Sequence, residues 1–228
     1  MVTVARWQAY WEDKSQAGFR YENEDHYQRC AAELRVLFHQ LAPQSVLEIG
    51  CGNGALYEYL GFKQSKDYHG VDFSQSMLNV FQAHYPTANL ICADGAAYRV
   101  ERTYDLIFSN GVLQHFDRKM LEQHFENARA MMTPDSLFVC ASIPWKALWY
   151  RYLSGELTGE AHVHRLRGVI LRAMRACSID GMGYWYEHDD FKRLATRMGM
   201  TASFHGCIYY PYRFHVVLQL RQPGRLTA

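Results

Sequence analysis

Val46-Leu47-Glu48-Ile49-Gly50-Cys51-Gly52-Asn53-Gly54 is the stretch on which the fold turns. Ser45 to Ile49 is a short apolar run of the kind that forms a buried strand, and glycines then recur at every second position. Glycine lets a backbone turn sharply out of a sheet and approach a ligand closely. A helix predicted from Asn53 to about Leu60 would present its unpaired N–H groups at the same place. Upstream, Ala31, Leu34, Leu37, Phe38 and Leu41 recur at three- and four-residue steps, which predicts a helix from His26 to Leu41, ended by Pro43.

Downstream, strand and helix signals alternate. Tyr68 to Phe73 reads as a strand, Ser74 to Tyr85 as a helix capped by Ser74, and Ala88 to Cys92 as a third strand. Tyr104 to Ser109 is a fourth strand and Asp117 to Met132 a helix with Leu121, Phe125, Ala128 and Met132 on one face. Ser136 to Ser142 is a fifth strand. Asp189 to Met198 then reads as a helix ended by Gly199, followed by strands at about 201–208 and 213–221. Such alternation predicts an α/β fold, because parallel strands need crossover connections that place helices on both faces of the sheet.

The chain of 228 residues suits one domain. Residues 1–41 are expected to form an N-terminal arm and helix, 42–144 a cofactor-binding core, 145–188 a substrate lid, and 189–228 the closing helix and strand pair. A formal charge of +1 offers no overall attraction to polyanions, so nucleic acid is not an expected partner. Cysteines at 30, 51, 92, 140, 177 and 207 show neither a Cys-x-x-Cys pair nor regular spacing, so neither zinc nor a disulfide framework is indicated. Charges come too early in MVTVARWQAYWEDK for a signal peptide, and no run has the apolar length of a membrane span. The expected setting is a reduced cytoplasm, with the chain as monomer or homodimer.

A glycine-rich loop alone fits a dinucleotide as well as other nucleotide-like cofactors. The order Glu48-x-Gly50-x-Gly52-x-Gly54 narrows this: an acid two positions before the first glycine resembles the first motif of the class I S-adenosylmethionine-dependent methyltransferases. Further motifs follow in that family's order: Asp72 in Tyr-His-Gly-Val-Asp-Phe-Ser, Ala93-Asp94-Gly95, and Tyr104 to Phe116, which resembles the fourth-strand motif. The resemblance implies a Rossmann-like seven-stranded, mostly parallel sheet with an antiparallel terminal strand and a helical lid inserted after strand 5. It implies S-adenosyl-L-methionine as cofactor and S-adenosyl-L-homocysteine as product. Asp72 would then take the ribose hydroxyls, flanked by Phe73 and Met77 at the adenine, and Asp94 and Gly95 would lie near the ring. Asn110 and Gly111 would line the methionine end together with Glu48, Ile49, Gly50, Cys51, Gly52 and Gly54. Asp105 would be structural, and Tyr21 of the N-terminal arm would close over the cofactor.

Methyl transfer needs an aligned nucleophile and, where that nucleophile is protonated, a base. His115 follows the fourth strand at its carboxyl end and is the candidate base, although a His in this place also serves simply to pack the loop. The insertion adds Trp145, Trp149, Tyr184 and Tyr186 as candidate substrate contacts and His162, His164 and His188 as other bases. It is locally basic through Arg151, Arg165, Arg167, Arg172 and Arg175. No metal is expected. An enclosed pocket would suit a small-molecule acceptor. Ser109-Asn110-Gly111-Val112 departs from the Asn/Asp-Pro-Pro-aromatic motif of nucleobase methylation, which counts against a nucleobase nitrogen as acceptor; the expected accepting atom is an oxygen of a small metabolite, ahead of nitrogen or carbon. A protein or tRNA methyltransferase, or a cofactor-binding subunit without transfer activity, remain alternatives at this stage.

Overall fold

The computed structural model of the chain describes residues 24–159 and 182–221. Its helices are α1 (Glu24–Val36), α2 (Gln75–His84), α3 (Arg118–Ala130), α4 (Trp149–Leu153) and α5 (His188–Arg197). Its strands are β1 (Ser45–Ile49), β2 (Asp67–Asp72), β3 (Asn89–Cys92), β4 (Tyr104–Asn110), β5 (Met132–Pro144), β6 (Met200–Gly206) and β7 (Arg213–Leu220). The sheet order is β3-β2-β1-β4-β5-β7-β6. Strands β1 to β5 pair in parallel, and β7 runs antiparallel between β5 and β6.

Alternation along the central strands builds two cores. Val46, Leu106, Phe108, Val139 and Ala141 pack toward α1 and α2 through Ala31, Leu34, Leu78 and Phe81. Their neighbours Leu47, Ile107, Phe138 and Cys140 face Leu121 and Phe125 of α3 and Phe191 and Leu194 of α5. Near-continuous apolar strands follow from this double coverage. The strand order reverses between β1 and β4, and ligands of such sheets bind outside the strand ends at that point.

Several boundaries move from those the sequence predicts. No regular helix forms over 53–60: the chain instead makes successive turns, with Tyr57 N–H donating to Gly54 and Gly61 N–H to Glu58, before a short 3-10 turn at Phe62–Gln64. Helix α1 stops at Val36 because residues 37–41 tighten into i→i+3 bonds. Asp117 is the N-cap of α3 rather than its first residue, accepting from Met120 N–H. Strand β5 is longer than expected at both ends, with its irregularity against β7 falling between Cys140 and Ile143.

Of the expected lid, residues 145–159 and 182–188 are described, while 160–181 lie outside the described residues. The two ends meet: Trp145 and Tyr186 form an isolated parallel bridge, and Tyr152, Leu153 and Met182 share a small cluster with Trp149, Trp185 and Tyr212. Among the described residues, no helix is long and apolar enough to cross a membrane.

Candidate functional site

A crevice of about 590 Å³ opens at the carboxyl ends of β1, β2 and β4, within the size range of small-molecule sites. Its first end is acidic. Gly52, at φ 54, has no atom within 4 Å of where a Cβ would stand, so the loop presents bare backbone to the crevice. Its N–H donates to Asp72 Oδ2 at 2.9 Å, and Ser74 N–H donates to Asp72 Oδ1 at 2.9 Å. Asp72 therefore ties the loop after β1 to the start of α2, with each oxygen still able to accept further. Burial raises its proton affinity while these backbone donors oppose the rise. Glu48 is buried, takes the Tyr68 hydroxyl at 2.6 Å, and is pushed by desolvation to a pKa of about 7. Phe73, Met77, Asp94 and Gly95 continue the same wall. A nucleoside with a cationic methionyl end fits this end, which offers acceptors for ribose hydroxyls, an apolar shelf for a flat ring and carboxylates for an ammonium.

The second end is built from distant segments. Ser142, in the irregular part of β5, has φ 56, the single non-glycine positive φ among the described residues. Its three polar groups are all engaged: the N–H donates to His215 Nδ1 at 3.0 Å, the hydroxyl to Asn110 Oδ1 at 2.6 Å, and the carbonyl accepts from Arg213 Nη1 at 2.6 Å. Arg213 lies alongside the Tyr210 and Tyr212 rings, 5.7 and 5.5 Å from their centroids. Its Nε is buried without a hydrogen-bond partner, and Arg213 forms no ion pair among the described residues. Gln114 Oε1 is likewise buried and unpartnered. His115 lines the crevice, with burial and then the Arg213 cation lowering its pKa to about 3. A ring that resists protonation so strongly is a weak proton acceptor, so burial and charge both count against the base role expected from its position.

Most predicted cofactor residues come together here: Glu48, Ile49, Gly50, Cys51, Gly52, Asp72, Phe73, Met77, Asp94, Gly95, Asn110 and Gly111 all line the crevice. Gly54 does not. A Cβ there would stand 2.6 Å from the Phe81 ring, so its bareness serves packing rather than ligand approach. Tyr21, His162, His164, Arg165, Arg167, Arg172 and Arg175 lie outside the described residues. None of the four aromatic substrate candidates lines the crevice. Trp145 stacks on His188 and donates to Glu187, and Trp149 joins the small cluster. Tyr184 donates its N–H to Gln114 O at 2.6 Å, while Tyr186 is buried against Phe191 with its hydroxyl bonded to Phe116 O. These rings, expected as substrate contacts, pack instead as core at the ends of the insertion. Asp105 is structural as expected, accepting from the N–H groups of Gln44 and Ser45.

Sequence reasoning missed His26, Tyr27, Ser142, Tyr210 and Arg213, which line the crevice from α1, β5, the loop between β6 and β7, and β7. Glu33, Cys207 and His215 form a group of three potential metal ligands. Ser142 N–H occupies His215 Nδ1, which leaves Nε2 protonated and donating to Glu33 at 3.2 Å, a hydrogen-bonded cluster rather than a ready ligand set.

The family described as a methyltransferase domain matches residues 46–135. A trans-aconitate 2-methyltransferase of Methylobacterium radiotolerans is 35% identical over 92 residues, covering 40% of this chain and 35% of that protein. The chain spans about a third to a half of the length of such curated relatives. Streptomyces venezuelae DesVI superposes with a TM-score of 0.63 at 14% identity, covering 93% of this chain and 98% of that one. Magnesium protoporphyrin IX methyltransferase from Synechocystis, solved with bound S-adenosylhomocysteine, gives a TM-score of 0.58 at 17% identity, covering 87% and 83%. Residues 46–135 thus match a methyltransferase domain, and the sheet has the fold of these solved structures.

Proposed function

We propose that the chain transfers a methyl group from S-adenosylmethionine to an oxygen of a small-molecule acceptor. The observation that carries this reading is the crevice itself: an acidic end that fits the cofactor opens, in one cavity, onto an end of opposite charge that holds Arg213. Bound S-adenosylmethionine supplies a methyl group already activated by its sulfonium. The protein's part is to hold and align. Asp72 receives the ribose hydroxyls, Phe73 and Met77 flank the adenine with Asp94 at its edge, and Glu48 favours the methionyl ammonium. Asn110 and Gly111 fix the position of the methyl-bearing end through backbone and through the Ser142 link. Alignment of this kind accounts for several kcal/mol of barrier on the order of effective-molarity gains, without any covalent chemistry by the protein.

Calorimetry with S-adenosylmethionine, followed by release of S-adenosylhomocysteine in the presence of small oxygen acceptors, tests the proposal. Micromolar binding with acceptor-dependent release is the expected result. Absence of cofactor binding by the folded chain would sink it. Binding without release under any acceptor would leave a subunit that holds the cofactor and does no transfer.

A further inference from the structure

We infer that the accepting oxygen belongs to a carboxylate, which docks on Arg213 and leaves as a methyl ester; this rests on the proposed methyl transfer and names its substrate class.

Three observations converge on it. The guanidinium of Arg213 is held through Nη1 by the Ser142 carbonyl at 2.6 Å, with Nη2 against Met182 Sδ at 3.6 Å, and is bordered by the Tyr210 and Tyr212 rings. No carboxylate among the described residues pairs with it, and its Nε is buried without a partner while the residue lines the crevice. A buried donor on a cation is costly to leave unmet, and the planar guanidinium fork matches a carboxylate. The support beneath it is itself strained: Ser142 holds φ 56 against bonds to Asn110, His215 and Arg213. Strain held in place by three partners at a crevice wall is the pattern of a positioning residue.

The third observation is what surrounds the acceptor. His115, the residue placed to take a proton, is held neutral by burial and by Arg213 itself. His26, at the rim, is engaged with the Tyr210 hydroxyl at 3.0 Å. Glu48 and Asp72 belong to the opposite end of the crevice, bonded to Tyr68 and to the Gly52 and Ser74 N–H groups. An alcohol or a protonated amine would need a base at this end, and among the described residues these groups do not supply one. A carboxylate needs none, since it arrives ionised at neutral pH. One oxygen accepts from Arg213 and the lone pair of the other forms the new C–O bond. The methyl–sulfur bond breaks with its electron pair staying on sulfur. A methyl ester and S-adenosylhomocysteine leave, and no proton is moved.

The test uses the full chain, methyl-labelled S-adenosylmethionine and a deproteinised low-molecular-weight extract of bacterial cells. Labelled product is then treated with mild alkali. Carboxyl methyl esters hydrolyse and give the label as volatile methanol, the expected result. Label that survives alkali marks a hydroxyl or nitrogen acceptor and overturns the inference while leaving methyl transfer standing. Label in no small molecule overturns both.

Arg213→Gln should raise the acceptor KM ~30-fold or more, with the affinity for S-adenosylhomocysteine, read by calorimetry, within about twofold of the parent. Arg213→Lys, which keeps the charge, should recover part of the loss, and its circular dichroism and that of Arg213→Gln should match the parent. A matching fall in S-adenosylhomocysteine affinity would mean that Arg213 holds the cofactor's own carboxylate, and would overturn the proposal.

Discussion

The two ends of the crevice are made in different ways. The acidic end is drawn from residues 48–95, at the carboxyl ends of β1, β2 and β3 and the segments that follow them, and its contacts are short in sequence: Asp72 reaches back to Gly52 and forward to Ser74. The end with Arg213 joins Ser142, Asn110, His115 and β7, brought together only because β7 lies antiparallel beside β5. The first end is a local device repeated along the chain, whereas the second is a product of sheet closure. Under the proposed function, binding of the cofactor and choice of the acceptor are thereby separable, and substitutions at one end should leave the other nearly untouched.

The largest break in that comparison should come from Asp72→Ala. It removes a carboxylate that takes two backbone donors and, in the proposed complex, the ribose, with charged hydrogen bonds worth about 1.5–3 kcal/mol each. Cofactor affinity should fall on the order of 100-fold, measured by calorimetry. An effect on acceptor KM alone would mean that the two ends have been assigned the wrong way round.

Gly54→Ala should act on stability rather than on ligand affinity. The added Cβ meets the Phe81 ring at 2.6 Å on a backbone of φ 77, and overpacking with a strained φ costs about 1–3 kcal/mol. Chemical denaturation should show that loss with cofactor affinity preserved in the folded fraction. A protein of unchanged stability that binds the cofactor poorly would return Gly54 to the ligand-facing set.

His115→Ala sharpens the comparison at the acceptor end. Loss of a general base costs about 10²–10⁴-fold in rate, but a ring already held neutral should cost less than about tenfold in kcat. A thousandfold fall would restore His115 as the base and remove one support for a carboxylate acceptor.

The smallest effect should be a pH dependence from Glu48. Burial raises its pKa from 4.5 to about 7 in the free protein, so the carboxyl binds a proton more tightly folded than unfolded. Its contribution to stability is fully present below about pH 4.5 and is lost as pH rises through about 7. A nearby ammonium favours the ionised form, so cofactor binding should release part of a proton near neutrality and strengthen as pH rises through that range. Calorimetry in buffers of different ionisation enthalpy measures the release, and Glu48→Gln should abolish it. Proton uptake instead of release would place Glu48 away from the ammonium.

Legibility in the sequence followed the same division. Strand β1 appeared at its observed limits because a five-residue stretch with Val46, Leu47 and Ile49, bounded by a glycine turn, leaves little else for it to be. The helix expected over 53–60 did not form: Gly54 and Gly61 both sit at positive φ, and the chain spends those residues on turns that bring Tyr57 and Leu60 into the core. Trp145 and Tyr186 were misplaced because a large aromatic side chain carries the same signature in a core as at a ligand. Only the bridge between the two ends of the insertion decides which it is.

By itself the sequence determined the α/β alternation and the acidic end of the crevice. Both rest on short-range rules, apolar periodicity along each element and a glycine or an acid at the strand end, which neighbouring residues enforce. The tertiary structure alone decided the acceptor end. A guanidinium that forms no ion pair among the described residues, a serine forced to positive φ and a histidine held neutral are properties of packing among β5, β7 and the turn after β4. Burial and charge at those atoms depend on which distant strands meet, and no spacing along the chain encodes that.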